Sequence, residues 1–211
     1  MAGPNGSGKS TLAQRDIFAR LTNTPEQRDP FIRLNADERA QELRSTRADI
    51  SDDARALLAA QQTDEELDRL LSEGRSCLVE TVLSSDKYIE RVRAAKAGGY
   101  WIGLIYVLLQ DPSLNVGRVA QRVCQGGHDV PEERVRARWA RSLARLPLFA
   151  AAADAFAVWD NSYPDFPARL LIEALPDSYY LSPLCEALIE DGATARPLRD
   201  ALIGVRHLLG A

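Results

Sequence analysis

Apolar, extended runs alternate along this chain with segments whose apolar residues recur at helical spacing. The run at 100–109 is continuously apolar, which is typical of a strand that a parallel sheet buries on both faces. Shorter runs predict further strands at 31–35, 76–80, 155–159 and 168–175.

The segments between and beyond these runs have the spacing of amphipathic helices. They lie at 11–21, 38–46, 51–73, 86–97, 112–124, 131–146 and, as a tail with breaks near Gly192 and Pro197, at 184–211. We interpret 51–73 as two short helices joined near Thr63, a residue type that caps helix N-termini. Strands that alternate with helices predict an α/β fold with a mainly parallel sheet, flanking helices and right-handed crossovers.

The composition places the chain among ordinary globular proteins. It has 211 residues, of which 45% are hydrophobic and 27% are charged, and its formal net charge is −4. This balance excludes disordered and collagen-like classes, and it gives no general attraction to nucleic acid or to an anionic membrane. The length predicts one domain over 1–175, with a helical tail at 176–211 packed on the same domain.

Cysteine and histidine usage bears on location and metal chemistry. The three cysteines, Cys77, Cys124 and Cys185, are odd in number and far apart, which is typical of free thiols in a reducing compartment. The chain has only two histidines and no CxxC pair, so a zinc site is not expected. The apolar run at 100–109 is about half as long as a membrane-spanning helix. We therefore expect a cytoplasmic protein without a membrane or nucleic-acid partner.

Residues 3–10 read GPNGSGKS and satisfy every defined position of the phosphate-binding pattern GxxxxGK[ST], the P-loop. Its glycines let backbone N–H groups curl around phosphates, and the helix that follows presents its positive end. Lys9 is expected to reach the β- and γ-phosphates of ATP, and the Ser10 hydroxyl to ligate Mg²⁺. The predicted nucleotide-binding residues of the loop are Gly3, Asn5, Gly6, Ser7, Gly8, Lys9, Ser10 and Thr11. The alternative, a glycine-rich turn without a ligand, is disfavoured by the helical pattern that follows at once.

A P-loop alone does not separate kinases from GTPases, transporter ATPases and motor ATPases. The wording GPNGSGKST is common in ABC ATPases, but the chain has neither an LSGGQ-type signature nor an apolar strand that ends in Asp-Glu. It also lacks an NKxD-type guanine-reading motif. A small nucleotide-dependent kinase is the class that remains.

Six motifs follow one another along the chain. They are GPNGSGKST, NADE at 35–38, ETVLSS at 80–85, RVxxGGHxVPEExV at 122–135, RWxRSL at 138–143 and WDNS at 159–162. This ordered set resembles the zeta-toxin family of P-loop phosphotransferases, and more closely its small stand-alone branch often labelled "predicted ABC-type ATPase". The resemblance runs from Gly3 to about Ser162, and no motif covers the tail after Pro164.

The resemblance implies a reaction, cofactors and partners. The family's best-studied members use ATP and Mg²⁺ to phosphorylate the 3′-hydroxyl of UDP-N-acetylglucosamine, and an antitoxin protein holds them inactive. By this resemblance we expect ATP and Mg²⁺ as cofactors, a small-molecule acceptor such as UDP-N-acetylglucosamine, and an antitoxin partner.

Matched by motif, Asp37 corresponds to the family's catalytic carboxylate, which accepts the proton of the sugar hydroxyl. A carboxylate at a strand end is also chemically suited to orient a hydroxyl for attack on phosphorus. The alternative is that Asp37 only caps a helix. Glu80 and Thr81 match the pair that helps to bind the sugar and to organise the metal site, although a lone Glu at a strand end is otherwise a solvated residue. The resemblance thus assigns acceptor binding to Asp37, Glu80 and Thr81.

The arginine-rich segment 112–146 is expected to form a helical lid over the phosphates. Arg118 and Arg122 lie on one side of a helix, and Arg122 aligns with a phosphate-binding arginine of the family, so we assign it to catalysis beside Lys9 and Asp37. Arg138 and Arg141 are the candidates for an arginine finger. The alternative for such a charge run is a solvated helix face.

Two further residues each have two possible roles. His128 stands where other zeta toxins carry an arginine, and it is either a lid residue that contacts the ligand or a neutral turn residue. Asn161 in WDNS either hydrogen-bonds adenine or caps the adjoining loop.

The start of the chain departs from the family pattern. An apolar strand precedes the P-loop in the family, whereas here only Met1 and Ala2 come before Gly3. We therefore expect the first strand to be missing or truncated, which leaves unpaired backbone groups and an apolar groove in the sheet.

Two functions are compatible with these motifs. The first is an ATP-dependent kinase that phosphorylates a hydroxyl of a small metabolite, most simply a nucleotide-sugar. The second is a nucleotide-binding interaction or regulatory protein that binds ATP without acceptor kinase activity, which the truncated strand and the departure at His128 favour.

Overall fold

The structure is a computed structural model of the chain. It describes residues 1–13, 31–125, 127 and 129–210. The chain divides into two compact units, of which the first comprises Met1–Asn23 with Val82–Ala211 and the second comprises Thr24–Thr81. The α/β class predicted from the sequence is confirmed, with parallel strand pairs and helices in each unit.

The helices are numbered here in chain order. They are α1 (Lys9–Ala13), α2 (Ala36–Thr46), α3 (Asp52–Ser72), α4 (Ile89–Ala97), α5 (Pro112–Cys124), α6 (Glu132–Ala152), α7 (Pro183–Glu190) and α8 (Arg196–His207). In the described part of the chain, no helix combines the length and the apolar character that a membrane crossing requires.

The strands form two separate sheets. They are β1 (Ile32–Asn35), β2 (Cys77–Glu80), β3 (Gly103–Leu108), β4 (Ala155–Asp160), β5 (Arg169–Leu175) and β6 (Ser178–Leu181). In the second unit, β1 and β2 pair in parallel, with Asn35 opposite Glu80. In the first unit, the order is β3-β4-β5-β6, where β3 and β4 are parallel and the two later strands are antiparallel.

Helix α3 is continuous where the sequence predicts a break. Ser51 caps it by accepting a hydrogen bond from the Ala54 N–H at 3.2 Å. Thr63 is buried, and its hydroxyl donates to the Ala59 carbonyl at 2.7 Å inside the helix. The prediction of two helices capped at Thr63 is therefore wrong, because no Gly or Pro interrupts this stretch and one apolar face runs along all of it.

The core of the first unit lies between the sheet and the helices that flank it. Tyr106 of β3 is fully buried, and its hydroxyl lies 2.7 Å from the hydroxyl of Ser142 on α6. Ser142 in turn donates to the Val82 carbonyl at 2.6 Å. This chain of hydrogen bonds satisfies the polar groups that the packing of α6 against β3 buries.

Strand β6 is absent from the sequence-based prediction. It reads Ser-Tyr-Tyr-Leu and exposes Tyr179 and Tyr180 at the edge of the sheet, so it lacks the apolar run that marks a buried strand. The tail at 176–211 thus begins with a strand, after which α7 contacts β5 and α8 contacts α6.

Helix α6 continues past its predicted end, although Pro147 lies inside it. Proline removes one intrahelical hydrogen bond and disfavours a helix interior. The helix persists because residues on its apolar face, such as Leu143 and Phe149, are buried in the core. A side chain at Gly204 of α8 would come within 2.7 Å of the Pro147 ring, so α8 packs directly against the proline. Tertiary packing outweighs local propensity here.

Just before the P-loop, Ala2 forms a parallel bridge to Tyr106 of β3. Ala2 donates its N–H to the Ile105 carbonyl at 2.7 Å and accepts from the Val107 N–H at 2.9 Å, opposite Tyr106. Met1 and Ala2 are both buried. Within the described residues, Ala2 is thus the residue before the P-loop that bridges to the sheet.

We expect Leu143→Ala to lower the free energy of unfolding by about 3 kcal/mol, because it empties part of the core around a fully buried side chain. Leu148→Ala is the matched control: it lies on the same helix, but its side chain is 39% exposed, so its cost should stay below about 1 kcal/mol. Urea titrations of both variants measure the difference. Equal losses would contradict the packing of α6 described above.

Candidate active site

The P-loop of the first unit turns at three glycines. Gly3, Gly6 and Gly8 have φ angles of +144°, +74° and +88°, a region that residues with a Cβ rarely adopt. A Cβ on Gly3 would also collide with the Val107 carbonyl of β3, so the loop approaches the strand backbone closely. Successive glycine turns of this kind form the concave backbone that binds phosphate through N–H groups.

Helix α5 supports the loop through Asn115, which the sequence analysis does not identify. Asn115 is fully buried, and its Nδ2 donates to the Asn5 carbonyl at 2.6 Å. A Cβ on Gly6 would lie 2.8 Å from the Asn115 carbonyl, so α5 packs tightly against the second glycine turn. No sequence signal marks Asn115, because its contact joins residues 110 positions apart.

Lys9 begins α1 and folds its side chain back over the loop. Its Nζ donates to the Gly3 carbonyl at 2.8 Å and to the Pro4 carbonyl at 3.1 Å. These bonds hold the ammonium group against the loop backbone, where its charge favours a phosphate group. Ser10 and Thr11 follow on the exposed first turn of α1.

Two arginines approach the loop from α5 and α6. Arg118 Nη2 donates to the Asn161 carbonyl at 2.8 Å. Burial lowers the pKa of the Arg118 guanidinium, and the nearby Asp160 carboxylate opposes this by raising it. Arg138 Nη1 donates to Asn5 Oδ1 over a long 3.4 Å. The loop is thus flanked by cations from two helices, an arrangement that suits a polyphosphate.

The other residues assigned to the lid have different surroundings. Arg122 is half-buried in the last turn of α5, and its carbonyl accepts from the Gly127 N–H at 3.0 Å. Arg141 is exposed on α6. Of the two candidates for the arginine finger, Arg138 is therefore the one that contacts a P-loop residue. His128 lies outside the described residues.

Asn161 follows β4 and contacts the loop directly. Its Nδ2 donates to the Ser7 carbonyl at 2.8 Å, while its backbone N–H donates to the Leu108 carbonyl at 3.0 Å. The partners expected for this amide were adenine or the loop adjoining Asn161, whereas its Nδ2 is hydrogen-bonded to the P-loop backbone.

In the second unit, Asn35 joins the end of β1, the start of α2 and the end of β2. Its Oδ1 accepts from the Asp37 N–H at 3.0 Å, and its Nδ2 donates to Glu80 Oε2 at 2.5 Å. Arg33 donates to the other carboxylate oxygen of Glu80 at 3.0 Å. The Glu80 side chain is only 4% exposed, so Arg33 and Asn35, rather than water, stabilise its negative charge.

Asp37 is exposed in the first turn of α2, and Asn35 is the N-cap of that helix. The alternative that Asp37 is the capping residue is therefore not what the structure shows. Thr81 directly follows β2 and is half-buried. Asn before an acidic helix start is a capping signal that sequence reading can find, whereas the contact between Arg33 and Glu80 depends on the pairing of two strands.

The residues around the loop fit ATP and Mg²⁺. The loop has three glycine turns, and the Ser7 hydroxyl is buried with no hydrogen-bond partner among the described residues. Lys9 and Arg118 supply positive charge beside these turns. A magnesium ion would bind the Ser10 hydroxyl together with phosphate oxygens, as in other P-loop sites.

Gly8→Ala is expected to weaken ATP binding by at least about 10-fold, because φ of +88° strains alanine and its Cβ would collide with Asn161 Nδ2. Gly117→Ala is the matched control, since a Cβ at this position of α5 meets no atom within 4 Å. Calorimetric titration with ATP compares the two variants. Unchanged affinity in the Gly8 variant would contradict the described loop geometry.

Comparisons with known proteins agree with this geometry. The sequence profile of a family described as AAA domain (AAA_33) matches residues 1–148. An uncharacterized protein of Haemophilus influenzae (strain Rd) is 33% identical over 61 residues, which are 29% of this chain and 44% of that protein. The match thus spans less than half of that relative's length.

Solved structures show the fold. The complex of AvrRxo1-ORF1 with AvrRxo1-ORF2 and ATP matches with a TM-score of 0.66 and 16% identity, over 96% of this chain and 74% of that chain. A structure from the PezAT chromosomal toxin–antitoxin system of Streptococcus pneumoniae matches with a TM-score of 0.56 and 16% identity, over 100% of this chain and 86% of that one. The chain has the P-loop fold of these structures, so the fold implied by the zeta-toxin resemblance is confirmed.

Proposed function

The chain belongs to the AAA domain family whose profile spans its residues 1–148, and from that premise we propose that it is an ATP-dependent phosphotransferase. It transfers the γ-phosphoryl group of ATP to a hydroxyl group of a small metabolite. The kinase-like P-loop fold supports this reaction class.

One observation carries the proposal, namely the environment of the P-loop. Lys9 lies against the loop backbone, Arg118 is held beside Gly8, and Arg138 contacts Asn5. A site that only bound a neutral ligand would gain nothing from three cations around one concave backbone. Their charge suits the triphosphate of ATP, and it also suits the charge that spreads over the transferred group during phosphoryl transfer.

In this function each residue assigned to the nucleotide site or to the lid has a defined role. The loop backbone and Lys9 bind the β- and γ-phosphates, and Ser10 holds Mg²⁺, which neutralises phosphate charge when bound. Arg118, Arg122 and Arg138 stabilise the remaining negative charge. Arg141 and His128 belong to the same proposed lid, and Asn161 supports the nucleotide site.

The acceptor side of the proposal follows the zeta-toxin resemblance. Asp37 accepts the proton of the acceptor hydroxyl, and Glu80 and Thr81 bind the acceptor. Exposure of Asp37 at the start of α2 supports this role, because a base must reach its substrate. By resemblance to zeta toxins, the acceptor is UDP-N-acetylglucosamine and the partner is an antitoxin. The PezAT structure, from a system described as toxin–antitoxin, supports the second point.

A mass-spectrometric screen tests the proposal. The purified protein is incubated with Mg-ATP and a panel of nucleotide-sugars led by UDP-N-acetylglucosamine, with Asp37→Asn as the parallel sample. A product heavier by one phosphate, formed by the unmodified protein alone, identifies the acceptor. ATP binding without any phosphorylated product, in the panel or in a metabolite extract, would refute the kinase assignment.

One observation favours a second candidate, a nucleotide-binding regulatory protein without acceptor kinase activity. Both carboxylate oxygens of Glu80 are occupied by Arg33 and Asn35, and the side chain is nearly inaccessible. A Glu held in this way contributes to the stability of its own unit rather than to acceptor binding. Co-purification of a protein that depends on ATP, with no phosphorylated product in the screen, is the result that this candidate predicts.

A further inference from the structure

We propose that Asn161 is a positioning residue that fixes the P-loop and Arg118 to each other. Its side chain holds the loop backbone and its main chain holds the guanidinium, so one residue sets the place of both phosphate-binding groups. The inference rests on the proposed ATP site and adds a residue that acts through its neighbours rather than by touching the nucleotide.

The side chain of Asn161 acts on the third glycine turn. Its Nδ2 donates to the Ser7 carbonyl at 2.8 Å, and a Cβ on Gly8 would collide with the same nitrogen. The amide therefore fills space that exists only because position 8 is glycine. Since Ser7 and Gly8 directly precede Lys9, loss of this bond frees the part of the loop that carries the lysine.

The main chain of Asn161 acts on Arg118. Its carbonyl accepts from Arg118 Nη2 at 2.8 Å, and its N–H donates to the Leu108 carbonyl at the end of β3. The sheet thus fixes the acceptor that orients the guanidinium. Arg118 needs this acceptor because burial disfavours the charged form of its guanidinium. The guanidinium is also close to the third glycine turn, since Arg118 Nη1 lies 3.9 Å from where a Cβ of Gly8 would be. The same contact keeps the positive charge beside the loop.

The residues on either side make Asn161 a rigid support. Asp160 is 1% exposed and accepts from Gln110 Nε2 at 2.9 Å and from Arg169 Nη2 at 3.0 Å. It also accepts from the Ser162 N–H at 3.0 Å, while the Ser162 hydroxyl accepts from the Gln110 N–H at 2.8 Å. Groups on β4, on β5 and in the segment after β3 therefore fix the chain around Asn161, which is what precise positioning of a binding group requires.

These contacts link Asn161 to phosphate binding and not to recognition of the base. The Nδ2, the N–H and the carbonyl of Asn161 contact Ser7, Leu108 and Arg118, respectively. Removal of the Asn161 side chain should therefore weaken the binding of every nucleoside triphosphate by the same factor. It should not change the preference for adenine over guanine.

The test compares nucleotide binding in two variants of Asn161 with that of the unmodified protein. Asn161→Ala should weaken ATP binding about 10-fold and raise KM for ATP by the same factor, while kcat at saturating ATP stays within about 3-fold of the unmodified protein. The ratio of ATP to GTP affinity should stay unchanged. Asn161→Asp has the same size but turns a carboxylate toward the Ser7 carbonyl, so it should bind ATP more weakly than Asn161→Ala. If Asn161→Ala does not fold, Asn161→Asp tests the same contact.

Ser162→Ala is the matched control. It removes hydrogen bonds to Asp160 and Gln110 in the same turn but none to the P-loop. It should lower the thermal midpoint but weaken ATP binding by less than about 3-fold, because Gln110 Nε2 and Arg169 still hold Asp160. If Asn161 had a merely structural role, its variants would show the same result as Ser162→Ala. That outcome would overturn the inference.

A double variant adds an independent readout. In Gly8→Ala the new Cβ collides with Asn161 Nδ2, so removal of that nitrogen relieves the collision. The loss of ATP affinity in Gly8→Ala/Asn161→Ala should therefore be smaller than the product of the two single losses. Multiplicative losses would contradict the contact.

The possible failures are distinguishable. Unmodified protein that binds no nucleotide would refute the proposed function and, with it, this inference. Unmodified protein that binds ATP, together with an Asn161→Ala variant of equal affinity, would refute the inference alone. A changed ratio of ATP to GTP affinity in that variant would also overturn it, by assigning the amide to the base.

Discussion

Asp37→Asn is expected to lower turnover by about 100-fold or more while ATP affinity stays unchanged. Asparagine preserves the size of the side chain but cannot accept the proton of the acceptor hydroxyl at neutral pH. The variant should fold normally, because Asn35 rather than Asp37 caps α2 and Asp37 is exposed. Steady-state kinetics with the acceptor found in the metabolite screen, together with calorimetric ATP titration, separate the two effects.

Glu38→Gln is the matched control for Asp37→Asn. Glu38 lies in the same helical turn, and its carboxylate forms an ion pair with Arg33 at 2.9 Å. Its side chain is 52% exposed, so loss of this pair should cost little stability and less than about 3-fold in turnover. Full turnover in Asp37→Asn, or an equal loss in both variants, would rule out Asp37 as the base.

Lys9→Ala is expected to weaken ATP binding by about 100-fold, since a charge-assisted hydrogen bond to phosphate is worth up to about 3 kcal/mol. The ammonium already lies against the Gly3 and Pro4 carbonyls, so little side-chain freedom is lost when phosphate binds. Turnover should fall as well, because the same charge stabilises the transferred group. Calorimetry and steady-state kinetics measure the two losses.

Lys87→Ala is the matched control for Lys9→Ala. Lys87 lies before α4, where its ammonium is 5.2 Å from the centre of the Tyr88 ring. Removal of this cation changes the net charge by the same amount, and Lys87 is not part of the P-loop. ATP affinity that falls equally in both variants would show that overall charge, rather than Lys9, determines binding.

The sequence was sufficient to predict the features that depend on local pattern. The P-loop was predicted because its glycines must occupy positive φ, and β3 because a buried parallel strand is continuously apolar. Features set by tertiary contacts were missed or wrong. Pro147 is tolerated in α6 because the core and Gly204 hold the helix, and β6 forms on the edge that β5 offers.

The candidate site shows the same division. The glycines and Lys9 are fixed by the motif, whereas Asn115 reaches the loop from a helix that no short pattern links to it. Asn35 contacts Glu80 only because β1 and β2 pair with those two residues opposite each other. Pairing of distant strands is a property of the folded chain, so a single sequence does not specify it.

The most direct test of the central claim follows the γ-phosphoryl group itself. The protein is incubated with Mg²⁺, a metabolite extract and ATP labelled on its γ-phosphorus, and the products are separated by mass. We expect label in an organic phosphate ester, formed by the unmodified protein and not by Lys9→Ala or Asp37→Asn. Label found only in unreacted ATP or in inorganic phosphate would contradict a phosphotransferase.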